Sequence, residues 1–185
     1  MARVKLLNVE DVPEESRWLL ERNARDGGLF NIYRAIAHTP DGLRQFLRLG
    51  SYLLTRSRLD PREREIAILR TGALAGCRYE VAHHVPIARA AGLDDGAIRA
   101  AVEGDASPFS EREAAALRFA TELTRDARVS AETHASLGAL FSERELVDLA
   151  LTVGYYNLVA RVLNGLEVDL EPAFAAGLDA LGAAR

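Results

Sequence analysis

Apolar residues recur along this chain at intervals of three and four, in blocks separated by short polar or glycine-containing breaks. That spacing belongs to amphipathic helices. It predicts helices over 14–25, 29–37, 40–55, 61–75, 78–91, 94–103, 111–126, 131–140, 143–164 and 171–182. Several of the breaks carry helix-start chemistry. Asp60, Ser110 and Ser142 each stand three residues ahead of a glutamate (Glu63, Glu113, Glu145), the spacing at which cap and glutamate each satisfy a backbone N–H of the first turn. Thr39 precedes Pro40, a cap followed by proline at the first helical position. No stretch alternates apolar and polar long enough to form a sheet, so the fold class is all-α.

The chain has 185 residues, 49% of them apolar and 27% charged, enough to build one domain with a sizeable core. No long glycine, serine or proline linker divides it. Residues 1–39 read as a helical N-terminal extension, 40–170 as the core and 171–185 as a C-terminal helix. The formal charge is −4, and Lys5 is the one lysine. Arg112, Arg118 and Arg125 are interleaved with Glu111, Glu113, Glu122 and Asp126, the pattern of a solvated helix with ion pairs along its own face rather than of a nucleic-acid footprint. No run of about 18 apolar residues suggests a membrane span, and the N-terminal residues lack the apolar core of a secretory signal, so a cytoplasmic protein with no membrane partner is expected.

Cys77 is the single cysteine, which excludes an intrachain disulfide and a multi-cysteine metal site. It follows Gly76, a residue suited to a helix end, and would therefore open the next helix. A helix N-terminus favours negative charge and lowers a thiol's pKa; alternatively Cys77 is a small apolar core residue. On a helix, Cys77, Glu80 and His84 fall within about 60° of one another around the axis, so thiol, carboxylate and imidazole share a stripe. Val81 and Ile87 lie on the same stripe, which turns it toward the interior. Such groups could relay protons, and burying them is costly unless they bond to one another or to a ligand. The plainer alternative is a surface Glu80–His84 pair with Cys77 in the core. His83 points about 100° away, toward the surface or an interface, so Glu80, His83 and His84 make a poor metal site.

At these residues the chain resembles the carboxymuconolactone decarboxylase family, which includes alkylhydroperoxidase D. The family pattern is a glutamate, a cysteine twelve residues on, a second cysteine three further and a histidine four beyond. Glu65, Cys77 and His84 match it, and Glu80 stands where the second cysteine would be. The segments Val85–Leu93 and Tyr155–Asn164 are also similar to the family. The resemblance implies a compact helical fold assembling as a trimer or hexamer, with Glu65, Cys77, Glu80 and His84 catalytic. Tyr79, His83, Tyr155, Tyr156 and Asn164 would be substrate-binding or supporting residues, with Arg70 and Arg78 as candidate carboxylate ligands. With Glu80 in that place the two-cysteine disulfide cycle cannot run within the chain. The resemblance then implies acid–base chemistry on a small, carboxylated or lactone-like substrate, a decarboxylation, isomerisation or related lyase step without metal or organic cofactor. One alternative is a one-cysteine hydroperoxide reductase acting through Cys77; another is a non-catalytic oligomeric binder of small ligands.

Overall fold

The computed structural model describes residues 1–25 and 28–180. Among these residues there are ten α-helices and no strand: α1 (Arg17–Arg25), α2 (Asn31–Ile36), α3 (Pro40–Thr55), α4 (Pro61–Leu74), α5 (Arg78–Ala90), α6 (Asp95–Glu103), α7 (Glu111–Asp126), α8 (Ala131–Leu140), α9 (Glu143–Gly165) and α10 (Pro172–Ala180). The helix expected over 14–25 begins instead with a 3₁₀ turn, Glu14–Ser16, behind Pro13. The last two residues of the helix expected over 171–182 lie outside the described residues.

Ser110 and Ser142 form complete capping boxes with Glu113 and Glu145. Asp60 caps α4 through the Arg62 amide, but its expected partner Glu63 does not reach back. Glu63 is buried and takes the Arg112 guanidinium in two bonds, of 2.7 and 3.1 Å. Arg112 also binds Glu145 at 3.0 Å, tying α7 to α4 and α9. The expectation that α7 spends its arginines along its own face is thus corrected for Arg112, because its long side chain reaches acids on neighbouring helices. Thr39 stands at the start of α3 with Pro40 in the first turn, but its side chain makes no cap hydrogen bond.

Helix α4 is the axis of the fold. Every residue from Glu63 to Gly72 is buried, and the helix packs on α5, α6, α7 and α9. Its faces supply three separate clusters. Ile66 and Leu69 meet Val81, Val85, Ile98 and Leu117. Ile68 meets Cys77, Leu53, Tyr155 and Tyr156. Ala67 meets Phe119, Leu137, Leu149 and Val153. Ile66, Ile68 and Leu69 have no exposed surface; burying each such side chain contributes roughly 1.5–3 kcal/mol. The N-terminal residues add a fourth cluster, in which Val12, Leu19 and Leu20 pack on Ala37 and Leu43.

Helix α9 is long and apolar enough to cross a bilayer by length and composition alone, although Asp148 and Arg161 interrupt its apolar run. Half of that stretch is buried inside the fold, as expected for a core helix, and α9 packs on α3, α4, α5, α7 and α8.

Candidate functional site

The turn between α4 and α5 places Cys77. Gly76 has φ +62°, the left-handed conformation that closes a helix without a Cβ penalty. The Cys77 amide donates to the Gly72 carbonyl at 2.9 Å and the Gly76 amide to Ala73 at 3.0 Å, the paired bonds of a Schellman motif. Asn164 on α9 adds a bond from its side-chain amide to the Ala75 carbonyl at 2.8 Å, pinning the turn from outside. Asn164 therefore holds the loop that carries Cys77.

Cys77 is buried at the first position before α5. Burial pushes its thiol up to about 12, the neighbouring Glu80 charge adds to the rise, and the Glu80 and Tyr79 amides oppose it without prevailing. The sequence expectation of a helix-start thiol with a lowered pKa is corrected: desolvation outweighs the helix terminus.

Glu80, His84 and Glu65 are also buried. His84 does not pair with Glu80. Its Nδ1 lies 2.7 Å from Glu65 Oε2 across the α4–α5 interface, and the Arg64 Nε donates to the other Glu65 oxygen at 3.1 Å. With Nδ1 engaged by the carboxylate, Nε2 is the ring nitrogen left to meet a substrate. Tyr156 meets the His84 ring edge-on, with centroids 4.8 Å apart. Burial and the charges of Glu65 and Glu80 raise the Tyr156 phenol well above its ordinary value, so it stays neutral.

Glu80 differs from Glu65 in having no partner. Neither of its carboxyl oxygens has a hydrogen bond, and its pKa is raised well above the ordinary value by burial. Burial thus favours its protonated form over the carboxylate. Ile87, expected on the same inward stripe, is instead 36% exposed, and it is Ala88 that the final turn of α5 buries.

The other candidates lie apart from this stripe. The Tyr79 hydroxyl donates to Glu171 at 2.7 Å and accepts from the Ile32 amide at 3.3 Å. His83 Nε2 lies 2.7 Å from the other Glu171 oxygen. The His83 ring is stacked between Tyr79 and Phe174, at 4.4 and 3.8 Å. Tyr79, and His83, which was expected toward the surface or an interface, are thus enclosed by the approach to α10 and by α2. Arg70, a candidate carboxylate ligand, donates instead to Thr121 at 3.0 Å and to the Val102 carbonyl at 2.8 Å. Sequence reasoning missed Arg64 and Glu171. Arg64 read as one more charge in the Arg-Glu-Arg-Glu run of a helix start, and Glu171 lies far along the chain from the groups it joins. Among the described residues no group of three or more histidine, cysteine, aspartate or glutamate side chains is arranged to hold a metal ion.

The all-helical frame has an alkylhydroperoxidase D-like fold. Two solved structures described as peroxidase-related proteins, one from Ralstonia eutropha JMP134 and described as an alkylhydroperoxidase AhpD core, the other from Silicibacter sp. TM1040, share this fold. Each matches with TM-score 0.83 and 22% identity, over 94% of this chain and 94% and 93% of theirs respectively. The debrominase Bmp8, as its C82A variant in complex with 2,3,4-tribromopyrrole, matches equally well in fold, with TM-score 0.83 and 21% identity over 98% of this chain and all of its own. Residues 40–122 match the model of the carboxymuconolactone decarboxylase family. No curated protein matches it significantly.

Proposed function

We propose that this protein is an enzyme that moves a proton at carbon in a small substrate, with His84 as the base and Glu80 as the acid. The observation that carries this reading is the Glu80 carboxyl, buried and unpartnered, one helical turn from an imidazole held at Nδ1 by Glu65. A base with a free lone pair and a neutral acid on one helix face supply both halves of an enolisation. His84 Nε2 removes a proton from a carbon next to a carbonyl, the electron pair passes into the enolate, and the Glu80 proton meets the developing charge on oxygen. Return of a proton to a different carbon completes an isomerisation; loss of a leaving group completes a lyase step. Arg64 and Glu65 position the base without touching substrate.

Thiol chemistry receives less support. A one-cysteine peroxidase needs a thiolate, and burial holds Cys77 as the neutral thiol. Cys77 then lines the site as a small apolar group. The fold also occurs in a protein described as a debrominase, in complex with a small halogenated heterocycle, which is consistent with small-molecule chemistry on this frame.

The test is turnover in deuterium oxide of a panel of cyclic enones and enol lactones, with and without a carboxylate, followed by proton NMR. Deuterium exchange or product formation should fall by about 10²-fold or more in His84→Ala and Glu80→Gln and persist in Cys77→Ser. Steady consumption of cumene hydroperoxide with dithiothreitol, abolished by Cys77→Ser, would replace this reading with the peroxidase. Ligands bound and recovered unchanged, with neither activity, would make the protein a binder.

A further inference from the structure

A cavity of about 550 Å³ opens between α2, α3 and α9, lined by Ile36, Phe46, Leu49, Tyr155, Leu158 and Val162 among others. None of the described residues lining it carries a carboxylate, an ammonium or a guanidinium. Its few polar members include Gln45 and His38, and the His38 Nε2 is already engaged with the Lys5 carbonyl at 2.9 Å. The volume is that of a small-molecule site.

Tyr155 connects this cavity to the buried stripe. Its ring lines the cavity and packs on Tyr156 at 5.3 Å, and Tyr156 in turn packs on His84. The Tyr155 hydroxyl donates to the Phe46 carbonyl at 3.0 Å, which holds the ring across the gap between α3 and α9. Gly50 is shaped to this position: a Cβ there would meet the phenol oxygen at 2.6 Å. Cys77, Tyr155 and Tyr156 belong to one buried cluster, and Glu80 lies near enough for its charge to bear on the Tyr155 phenol. A carboxylate settling on this lining would give up hydration to apolar side chains and find no counter-charge, a cost that an uncharged molecule does not meet.

We propose that the cavity between α2, α3 and α9 is the binding chamber for an uncharged, largely apolar small molecule, and that the Tyr155 ring is the partition between this chamber and the Glu80–His84 stripe. The proposal deepens the acid–base reading, on which it rests for the identity of the inner site. It favours isomerisation of a neutral substrate over decarboxylation of an anionic one.

Two fluorescent probes with similar ring systems, N-phenyl-1-naphthylamine and its sulfonated relative 8-anilino-1-naphthalenesulfonate, test the chamber on the full chain. The neutral amine should bind saturably, about tenfold or more tighter than the sulfonate, because a buried anion here is unpaired. Leu158→Arg places a charge on the lining and should weaken the amine by about tenfold or more. Leu151→Arg, exposed on the same face of α9 but outside the lining, should leave amine binding unchanged. Absence of saturable amine binding would overturn the proposal. So would loss of binding in Leu151→Arg together with a fall in molar mass by sedimentation, which would make this face a contact between copies of the chain.

Alkylation of Cys77 by N-ethylmaleimide tests the partition. Tyr155→Leu should accelerate it about tenfold or more over Tyr155→Phe, and filling the chamber with the amine should slow it in the wild type. Equal rates in all of these would refute the partition, and the protection measurement stands if Tyr155→Leu fails to fold. Probe binding requires no turnover, so failure of the acid–base reading would leave these results intact and distinguishable.

Discussion

Replacing Glu80 by glutamine tests the central assignment without any substrate. The structure leaves the charged form of Glu80 without compensation: the side chain is buried, both oxygens lack hydrogen bonds, and desolvation alone drives its pKa upward. An unfolded glutamate titrates near 4.3. Between that value and the raised native one, the folded chain holds one proton more than the unfolded chain. Stability contributed by the protonated acid is therefore fully present below the unfolded value and is lost as pH rises, at about 1.4 kcal/mol per pH unit, until the native value is passed. Glutamine has no such proton, while the other carboxylates and histidines titrate in both proteins and cancel. Urea denaturation followed by far-UV circular dichroism at pH 5, 6 and 7 should show Glu80→Gln gaining on the wild type as pH rises, by at most about 1.4 kcal/mol per unit. At acid pH the two should be close, since a neutral acid and an amide cost similar amounts to bury. Stability curves that run parallel within about 0.3 kcal/mol would mean that Glu80 is not held protonated, and its role as an acid would fall.

Further predictions concern the groups around it. Alkylation of Cys77 by iodoacetamide should keep accelerating with pH beyond 10, because the thiolate forms only near 12; a plateau at pH 8 would show an activated thiol instead. Glu65→Leu leaves the buried Arg64 guanidinium unpaired and should cost roughly 3–5 kcal/mol in urea denaturation, whereas a loss below about 1 kcal/mol would place the pair in solvent. Gly76→Ala meets no atom within 4 Å but must hold φ at +62°, so its midpoint should report backbone strain alone, about 1 kcal/mol.

The helices were legible because their start signals are local. Ser110 and Ser142 complete their capping boxes with glutamates three residues away, because Arg62 and Arg112 from elsewhere in the chain take only the other oxygen of Glu113 and Glu145. Glu63 follows the same spacing and fails, because Arg112 on another helix is the stronger partner. Local spacing cannot register that competition. The same limit hid the enclosure of α4, whose charged residues Glu63, Arg64, Glu65 and Arg70 are all buried by pairing or side-chain bonding. At the site, the positions of Cys77, Glu80 and His84 on one stripe followed from helical geometry. The electrostatics did not, since the lowered thiol pKa expected at a helix start is reversed by burial that only packing supplies. Tyr79 and His83 sit next to these groups in sequence and belong to another cluster, because Glu171 and Phe174 claim them from the far end of the chain.

The enclosure of α4 bears on how the site can move. Its residues feed three clusters at once, so its amides have no opening available short of global unfolding and should be among the slowest to exchange with solvent. Glu65 and the anchor of the Cys77 turn ride on this slowest unit, which fixes one wall of the site in time as well as in space. Breathing that admits a ligand must then come from the opposite wall, where the six-residue α2 and the outer turns of α3 and α9 have fewer buried neighbours. Catalytic geometry and access are thereby assigned to different cooperative units, and a substitution that loosens the second can change the rate of entry without disturbing the chemistry held by the first.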